Sequence, residues 1–103
     1  MKKIRSSTKQ DKNKILNFCK ETFSWGDYIH EVWDSWENDN GLLVVEENNT
    51  PIGMCHGVQY HNEKMLWIEG IRIHQDYRKQ GYATELITHF EKIAITSGLT
   101  SVN

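Results

Sequence analysis

The residues most suited to chemistry lie in one short run, Arg78-Lys79-Gln80-Gly81-Tyr82-Ala83. It separates two segments of different periodicity. Met65 to Ile73 reads as a buried strand, whereas Ala83, Leu86, Ile87, Phe90, Ile93 and Ala94 recur at the spacing of a helix with one apolar face. The run is therefore expected to be a turn at a helix start. A helix N-terminus carries unpaired backbone N–H groups and about half a positive charge. With Arg78, Lys79 and Gly81 added, such a turn is suited to holding an anion.

The rest of the chain supplies elements that would position this turn. Lys3 to Ser7 reads as a first strand, and Thr8 to Asp11 has capping-box spacing with Asp11 in place of the usual glutamate. A helix is expected from there to about Phe23, burying Ile15, Phe18, Cys19 and Phe23, with Ser24 to Asp27 interrupting it. A second helix places Ile29, Val32, Trp33 and Trp36 on one stripe and ends in the polar stretch Glu37 to Gly41. From Leu42 the period becomes that of strands. Leu42 to Glu46 pairs with Ile52 to Tyr60 through a turn at Asn48 to Pro51, and His61 to Lys64 turns the chain into Met65 to Ile73. The helix after the anion-holding turn stops at Gly98, and Leu99 to Val102 opens another strand. The expected order is β-α-α-β-β-β-α and a further β: an α/β (α+β) fold with a mixed, mainly antiparallel sheet and flanking helices. The last strand would lie parallel to its neighbour through a right-handed crossover.

Composition narrows the classes of function. A chain of 103 residues has room for one modest core, and residues 1–103 read as a single domain. The net charge of −2 argues against a binder of nucleic acid, which needs a concentrated basic face. The longest aliphatic run, Leu42 to Val45, is far short of a membrane span, and no hydrophobic stretch follows Lys2 and Lys3 as in a secretory signal. A cytoplasmic protein with Cys19 and Cys55 as free, buried thiols is the expected setting. Cys55-His56 lacks metal-ligand partners at suitable spacing, so no metal is expected. No Gly-x-x-x-x-Gly-Lys-Ser/Thr string occurs, and hairpins stand where a dinucleotide fold needs parallel strands.

The pattern Arg-x-x-Gly-x-Ala at Arg78, Gly81 and Ala83, on a strand–turn–helix after an antiparallel meander, resembles the acyl-CoA loop of the GNAT N-acetyltransferase superfamily. The resemblance covers the whole chain, because the leading strand, two helices and hairpin occur in that family's order. It implies an enzyme that moves an acetyl group from acetyl-CoA directly to a primary amine. The cosubstrate would be held by Ile71, Arg72 and Ile73 on the strand and by Arg78, Lys79, Gln80, Gly81, Tyr82, Ala83 and Thr84 on the turn and helix start. A pyrophosphate must approach the backbone closely, and a Cβ at Gly81 would block it or strain the turn.

Acyl transfer also needs a donor for the developing oxyanion and an acceptor for the amine proton. The resemblance assigns the first to the backbone N–H of Ile71, and Gly70 fits a bulge there or a plain packing accommodation. Glu69 is the candidate base. It is the one acidic residue between Met65 and Ile73, where partial desolvation would raise its pKa; a salt bridge with Arg72 or with an arginine elsewhere is the competing role. His56 reads better as a hydrogen-bonded structural histidine, and His74 as a turn residue. Trp25, Tyr28, Trp33 and Trp36 would wall an amine pocket or pack the core.

The family's domain continues through a full fifth strand, another helix and a closing hairpin that this sequence does not reach. The chain is therefore expected to be a C-terminally truncated domain. The alternative function is a non-catalytic acyl-CoA-binding or regulatory module, or an inactive fragment of a longer acetyltransferase. The uncovered edge of the third meander strand would also invite a homodimer.

Overall fold

A computed structural model of the chain describes residues 2–20 and 28–103. Strand β1 (Lys2–Ser6) leads to helices α1 (Asp11–Cys19) and α2 (Ile29–Asn38). A meander follows, of β2 (Leu42–Glu47), β3 (Thr50–Tyr60) and β4 (Met65–Ile73). A short 3₁₀ turn (Gln75–Tyr77) then connects to helix α3 (Tyr82–Thr96) and strand β5 (Ser101–Val102). The strands form one sheet in sequence order. β1 to β4 are antiparallel and β5 is parallel to β4, as the expected order requires.

Helices cover both faces of this sheet, which explains the uninterrupted apolar run in β2. Leu43 and Val45 pack with Ile52, Leu66, Leu86, Phe90 and Leu99 against α3. Leu42 and Val44 pack on the other face with Ile15, Ile29, Trp33 and Met54, under α1 and α2. Full burial of each aliphatic side chain in these layers contributes about 1.5–3 kcal/mol.

Local chemistry sets the turns. Asn48 and Asn49 both have positive φ, 52° and 68°, as a two-residue type I′ hairpin requires, and asparagine tolerates that region. The turn is thus tighter than expected, and Pro51 belongs to β3. It is accommodated because the β2–β3 register shifts there, Val45 facing Gly53 but Glu46 facing Pro51, which leaves Ile52 as the extra residue of a bulge. At the end of α3, Leu99 N–H donates to Ala94 O (2.8 Å) and Gly98 N–H to Ile95 O (3.2 Å), the paired bonds of a Schellman cap, with Leu99 buried beneath.

The start of α1 shows more than the expected cap. Asp11 accepts from the Thr8 N–H at 2.7 Å, and Arg5 on β1 grips both of its carboxylate oxygens at 2.8 Å. Glu46 on β2 lies 3.2 Å from Arg5 Nε, so the ion pairs fasten α1 to two strands. Helix α1 ends at Cys19, capped by Lys20. The expected continuation to Phe23, the interruption at Ser24 to Asp27 and the aromatic Trp25 lie outside the described residues. No described helix is long and apolar enough to cross a membrane.

Candidate functional site

Strand β4 builds the site through an irregularity. Met54 faces Arg72 and His56 faces Glu69, so Cys55 alone stands opposite both Gly70 and Ile71. The Gly57 N–H donates across to Gly41 O on the β2 side (2.9 Å), while the His74 N–H donates to Ile52 O (2.7 Å). By alternation, Cys55 bonds towards β2, and the Met54–Arg72 and His56–Glu69 pairs bond across to β4. The extra residue therefore falls between two bonded pairs, a wide bulge, and the Ile71 N–H is left out of the β3–β4 ladder. Gly70 permits this with φ of 69°; a Cβ there would sit 2.6 Å from the Trp36 ring. An ordinary residue would add about 1–2 kcal/mol of backbone strain before that clash.

Among the described residues no strand covers the same edge of β4 where the bulge lies. β5 pairs with Met65 and Leu66, and the bonds between Asn103 and β4, from its N–H to Leu66 O (2.9 Å) and to its O from the Ile68 N–H (2.7 Å), are the last before it. Beyond it, two arginines take up carbonyls: Arg72 Nη1 donates to Ile71 O at 2.9 Å and Arg78 Nε to Ile73 O at 3.1 Å. Arg72 also lies over the Tyr28 ring, 5.5 Å from its centroid.

At the end of this edge the chain reaches the anion-suited turn. Lys79 and Gly81 both have positive φ, 63° and 86°. The first α3 bond runs from the Glu85 N–H to Gly81 O (3.0 Å), so the N–H groups of Tyr82, Ala83 and Thr84 have no acceptor within the helix. Arg78, Lys79, Gln80 and Gly81 are exposed, and a Cβ built on Gly81 meets nothing within 4 Å. The space above the helix start is thus clear for a ligand. Tyr82 differs from its neighbours: its ring packs in the α3-side core and its hydroxyl donates to Glu47 at 2.8 Å. That carboxylate pushes the phenol's pKa up, so Tyr82 can offer a ligand its backbone but not its side chain.

Glu69 projects towards α2. Its Oε1 lies 3.0 Å from His56 Nδ1, and its Oε2 accepts a long bond from Trp67 Nε1 at 3.4 Å. His56 is buried, stacks flat on Trp36 at 4.3 Å, and turns Nε2 to Asp39 at 2.8 Å. The sequence reading of His56 as a hydrogen-bonded structural residue agrees with this. It missed Asp39, which lies 17 positions before His56 and reads as part of a polar helix end. It also missed Trp67, whose place two residues before Glu69 on the same strand face was the available signal. Of the aromatic set, Trp33 is core, Tyr28 is exposed, and Trp36 bridges core and site.

The remaining candidates are peripheral. His74 caps the 3₁₀ turn, its Nδ1 accepting from the Asp76 N–H at 3.1 Å. Burial, with the nearby Glu69 charge, pushes the Cys55 thiol up to about 12, which keeps it protonated and unreactive. Among the described residues no group of His, Cys, Asp and Glu is arranged to hold a metal ion.

Solved structures share this architecture. N-acetylglutamate synthase from Neisseria gonorrhoeae, complexed with coenzyme A and N-acetyl-glutamate, superposes with a TM-score of 0.82 at 14% identity, over 99% of this chain and 24% of its own. Ard1 from Thermoplasma volcanium gives 0.83 at 14% identity, over 98% of this chain and 68% of its own. The ribosomal-protein-S18-alanine N-acetyltransferase from Escherichia coli gives 0.78 at 14% identity, over 99% and 64%. This chain thus spans about a quarter of the first of these proteins and about two thirds of the other two. At such identities the likeness is one of fold. A search of curated proteins by sequence gives no match. The model of the acetyltransferase (GNAT) family, however, matches residues 10–103, nearly the whole sequence, and the chain belongs to that family.

Proposed function

We infer that this chain transfers an acetyl group from acetyl-CoA directly to a primary amine. The observation that carries the reading is the wide bulge at Gly70, which leaves the Ile71 N–H outside the ladder on an edge that runs straight to the open helix start at Gly81. The amides of Tyr82, Ala83 and Thr84, with Arg78, Lys79 and Gln80 beside them, would hold the pyrophosphate. The backbone from Ile71 to Ile73 would hold the pantetheine arm. In the transfer, the amine nitrogen bonds to the acetyl carbon, the carbon–sulfur bond breaks, and the amine proton passes to Glu69. The Ile71 N–H donates to the thioester oxygen as charge develops on it. A thiol pKa near 8.5 makes the departing thiolate tolerable without a dedicated acid.

Calorimetric titration with acetyl-CoA, followed by assay of CoA release against panels of amines, tests the reading. Binding followed by amine-dependent release supports it; binding without release points instead to an acyl-CoA-binding module, and no binding removes both. Gly81→Glu is expected to weaken acetyl-CoA binding by about 100-fold or more. It fills the clear space with a carboxylate and forfeits charge-assisted bonds of about 1.5–3 kcal/mol each. Calorimetry of this variant checks the expectation, with a thermal melt to confirm that it folds.

The free stretch of β4 would also serve a second copy of this chain. Light scattering at high protein concentration, with and without acetyl-CoA, is expected to show a dimer that the cosubstrate dissociates. A monomer in both arms removes the dimer.

A further inference from the structure

Past Glu69 the β3–β4 hairpin is covered on one face only. On the α3 side, Leu66 and Ile68 pack into the layer with Phe90 and Leu99. On the α2 side, among the described residues, the apolar layer takes in Met54 and no later residue of β3 or β4. Cross-strand pairing of His56 with Glu69, Val58 with Trp67 and Tyr60 with Met65 puts these side chains on that α2-side face. Trp67 is 43% exposed and Tyr60 44%, so two large rings stay open to solvent there. The strip runs into the site, because Trp67 Nε1 donates to Glu69 Oε2. Along β4 the indole stands about 7 Å from Glu69 and the Tyr60–Met65 pair about 13 Å, at about 3.3 Å per residue.

Charge on this face stops at the base. Val58, Tyr60, Met65 and Trp67 are uncharged, and Asp39, on the far side of His56, is turned to its Nε2 at 2.8 Å. A ligand lying here would meet one carboxylate at its head and aromatic and aliphatic groups along its body. One amine on an apolar body fits that sequence. A second ammonium, or a row of hydroxyls, would be desolvated over side chains that return few hydrogen bonds. Exposed ring faces attract a cation only modestly. Resting on Glu69 as the base for the amine, we propose that this strip seats the body of the acceptor. Trp67 and Tyr60 then select small primary amines that bear an aryl or alkyl group. A ring two or three bonds from the nitrogen reaches the indole, and a longer arm reaches Tyr60.

Kinetic preference tests the strip. The kcat/KM for phenylethylamine is expected to exceed those for ethanolamine and diaminobutane by about tenfold or more. Trp67→Ala is expected to lower that preference by about tenfold. Trp67→Phe keeps a ring face but loses the N–H to Glu69, and is expected to retain most of the preference. The ratio between amines cancels any loss of Glu69 positioning that all of them share. Tyr60→Ala is expected to reduce kcat/KM more for phenylbutylamine than for phenylethylamine. Diaminobutane used as well as phenylethylamine, or a preference unchanged in Trp67→Ala, overturns the proposal. Binding is read apart from transfer by NMR, following the Trp67 indole N–H, assigned with Trp67→Phe, in protein saturated with CoA. Phenylethylamine is expected to shift this signal at concentrations where ethanolamine does not. A shift with no acetyl transfer to any amine keeps the strip and removes the transferase reading. Transfer to other amines with no shift keeps that reading and removes the strip. A signal that moves with protein concentration alone assigns the strip to a second copy of the chain and also overturns the proposal.

Discussion

Glu69→Gln is expected to slow acetyl transfer by about 10²–10⁴-fold, the range supplied by a positioned general base. In barrier terms this is about 3–5 kcal/mol, at about 1.4 kcal/mol per factor of ten. The change is nearly isosteric. The amide oxygen can still accept from His56 Nδ1, and the bulge at Gly70 does not depend on the charge, so the fold and the Ile71 amide should remain in place. What is lost is the ability to take a proton. Affinity for acetyl-CoA should stay within about twofold, because the helix-start amides proposed to hold it are untouched. Separate measurement of kcat, of the amine KM and of acetyl-CoA binding by calorimetry distinguishes these effects. A loss confined to affinity, or an unchanged kcat, would remove Glu69 from the reaction.

The largest effect on stability is expected at the other end of the sheet. Asp11→Ala should cost about 2–3 kcal/mol, from the loss of charge-assisted hydrogen bonds worth about 1.5–3 kcal/mol each, part of which the remaining Arg5–Glu46 pair offsets. Asp11 is 3% exposed and receives both Arg5 Nη atoms as well as the Thr8 N–H, so its loss leaves the guanidinium with Glu46 as its one carboxylate and frees the start of α1 together. For a chain of this size the melting temperature should fall by more than about 10 °C. Burial alone would raise the Asp11 pKa, but the bonds from Arg5 and Thr8 outweigh it and hold the carboxyl below the usual carboxylate range. A depressed folded-state pKa stabilises the protein at pH values above the unfolded value of about 3.9 and ceases to do so as pH falls through the lower folded value. Acid titration of the parent should therefore show a stability loss below about pH 4 that Asp11→Asn lacks. Calorimetric melts across pH 2–7 for both proteins check it, a range chosen to span about two units below the ordinary carboxylate pKa.

Features governed by local spacing were the legible ones. The apolar stripe from Ala83 to Ala94, the glycine at the turn and the strand around Gly70 each announce themselves within a few residues, and the structure keeps them where the spacing puts them, except that Ile87 of the stripe is exposed and Tyr82 is buried. Thr8 and Asp11 likewise meet as their spacing implies. Partners fixed by topology were not legible. Arg5 reaches Asp11 because β1 lies beside β2 at the foot of α1, and nothing in the intervening residues encodes that meeting. Asp39 reaches His56 only because the α2–β2 connection crosses the end of β3, where Gly41 O accepts from the Gly57 N–H. Pro51 misled in the opposite sense. A proline after two asparagines reads as part of a turn, yet the bulge at Ile52 lets the strand include it.

The single extra residue in β4 also inverts the strand. Before it, Leu66 and Ile68 pack towards α3; after it, the same direction belongs to Ile71 and Ile73, while Arg72 lies over Tyr28 on the α2 side. Were the strand flattened with Gly70 kept in the ladder, every later residue would move one place along the pairing and this alternation would be re-phased. Ile71 and Ile73 would be carried out of the apolar layer, and the Arg72 guanidinium would be driven into it. The reactive geometry and the packing of the second half of β4 are therefore one choice, made at one position. Substitutions can erode Glu69 or the turn at Gly81 and leave a folded protein, but they cannot flatten this strand without burying a charge.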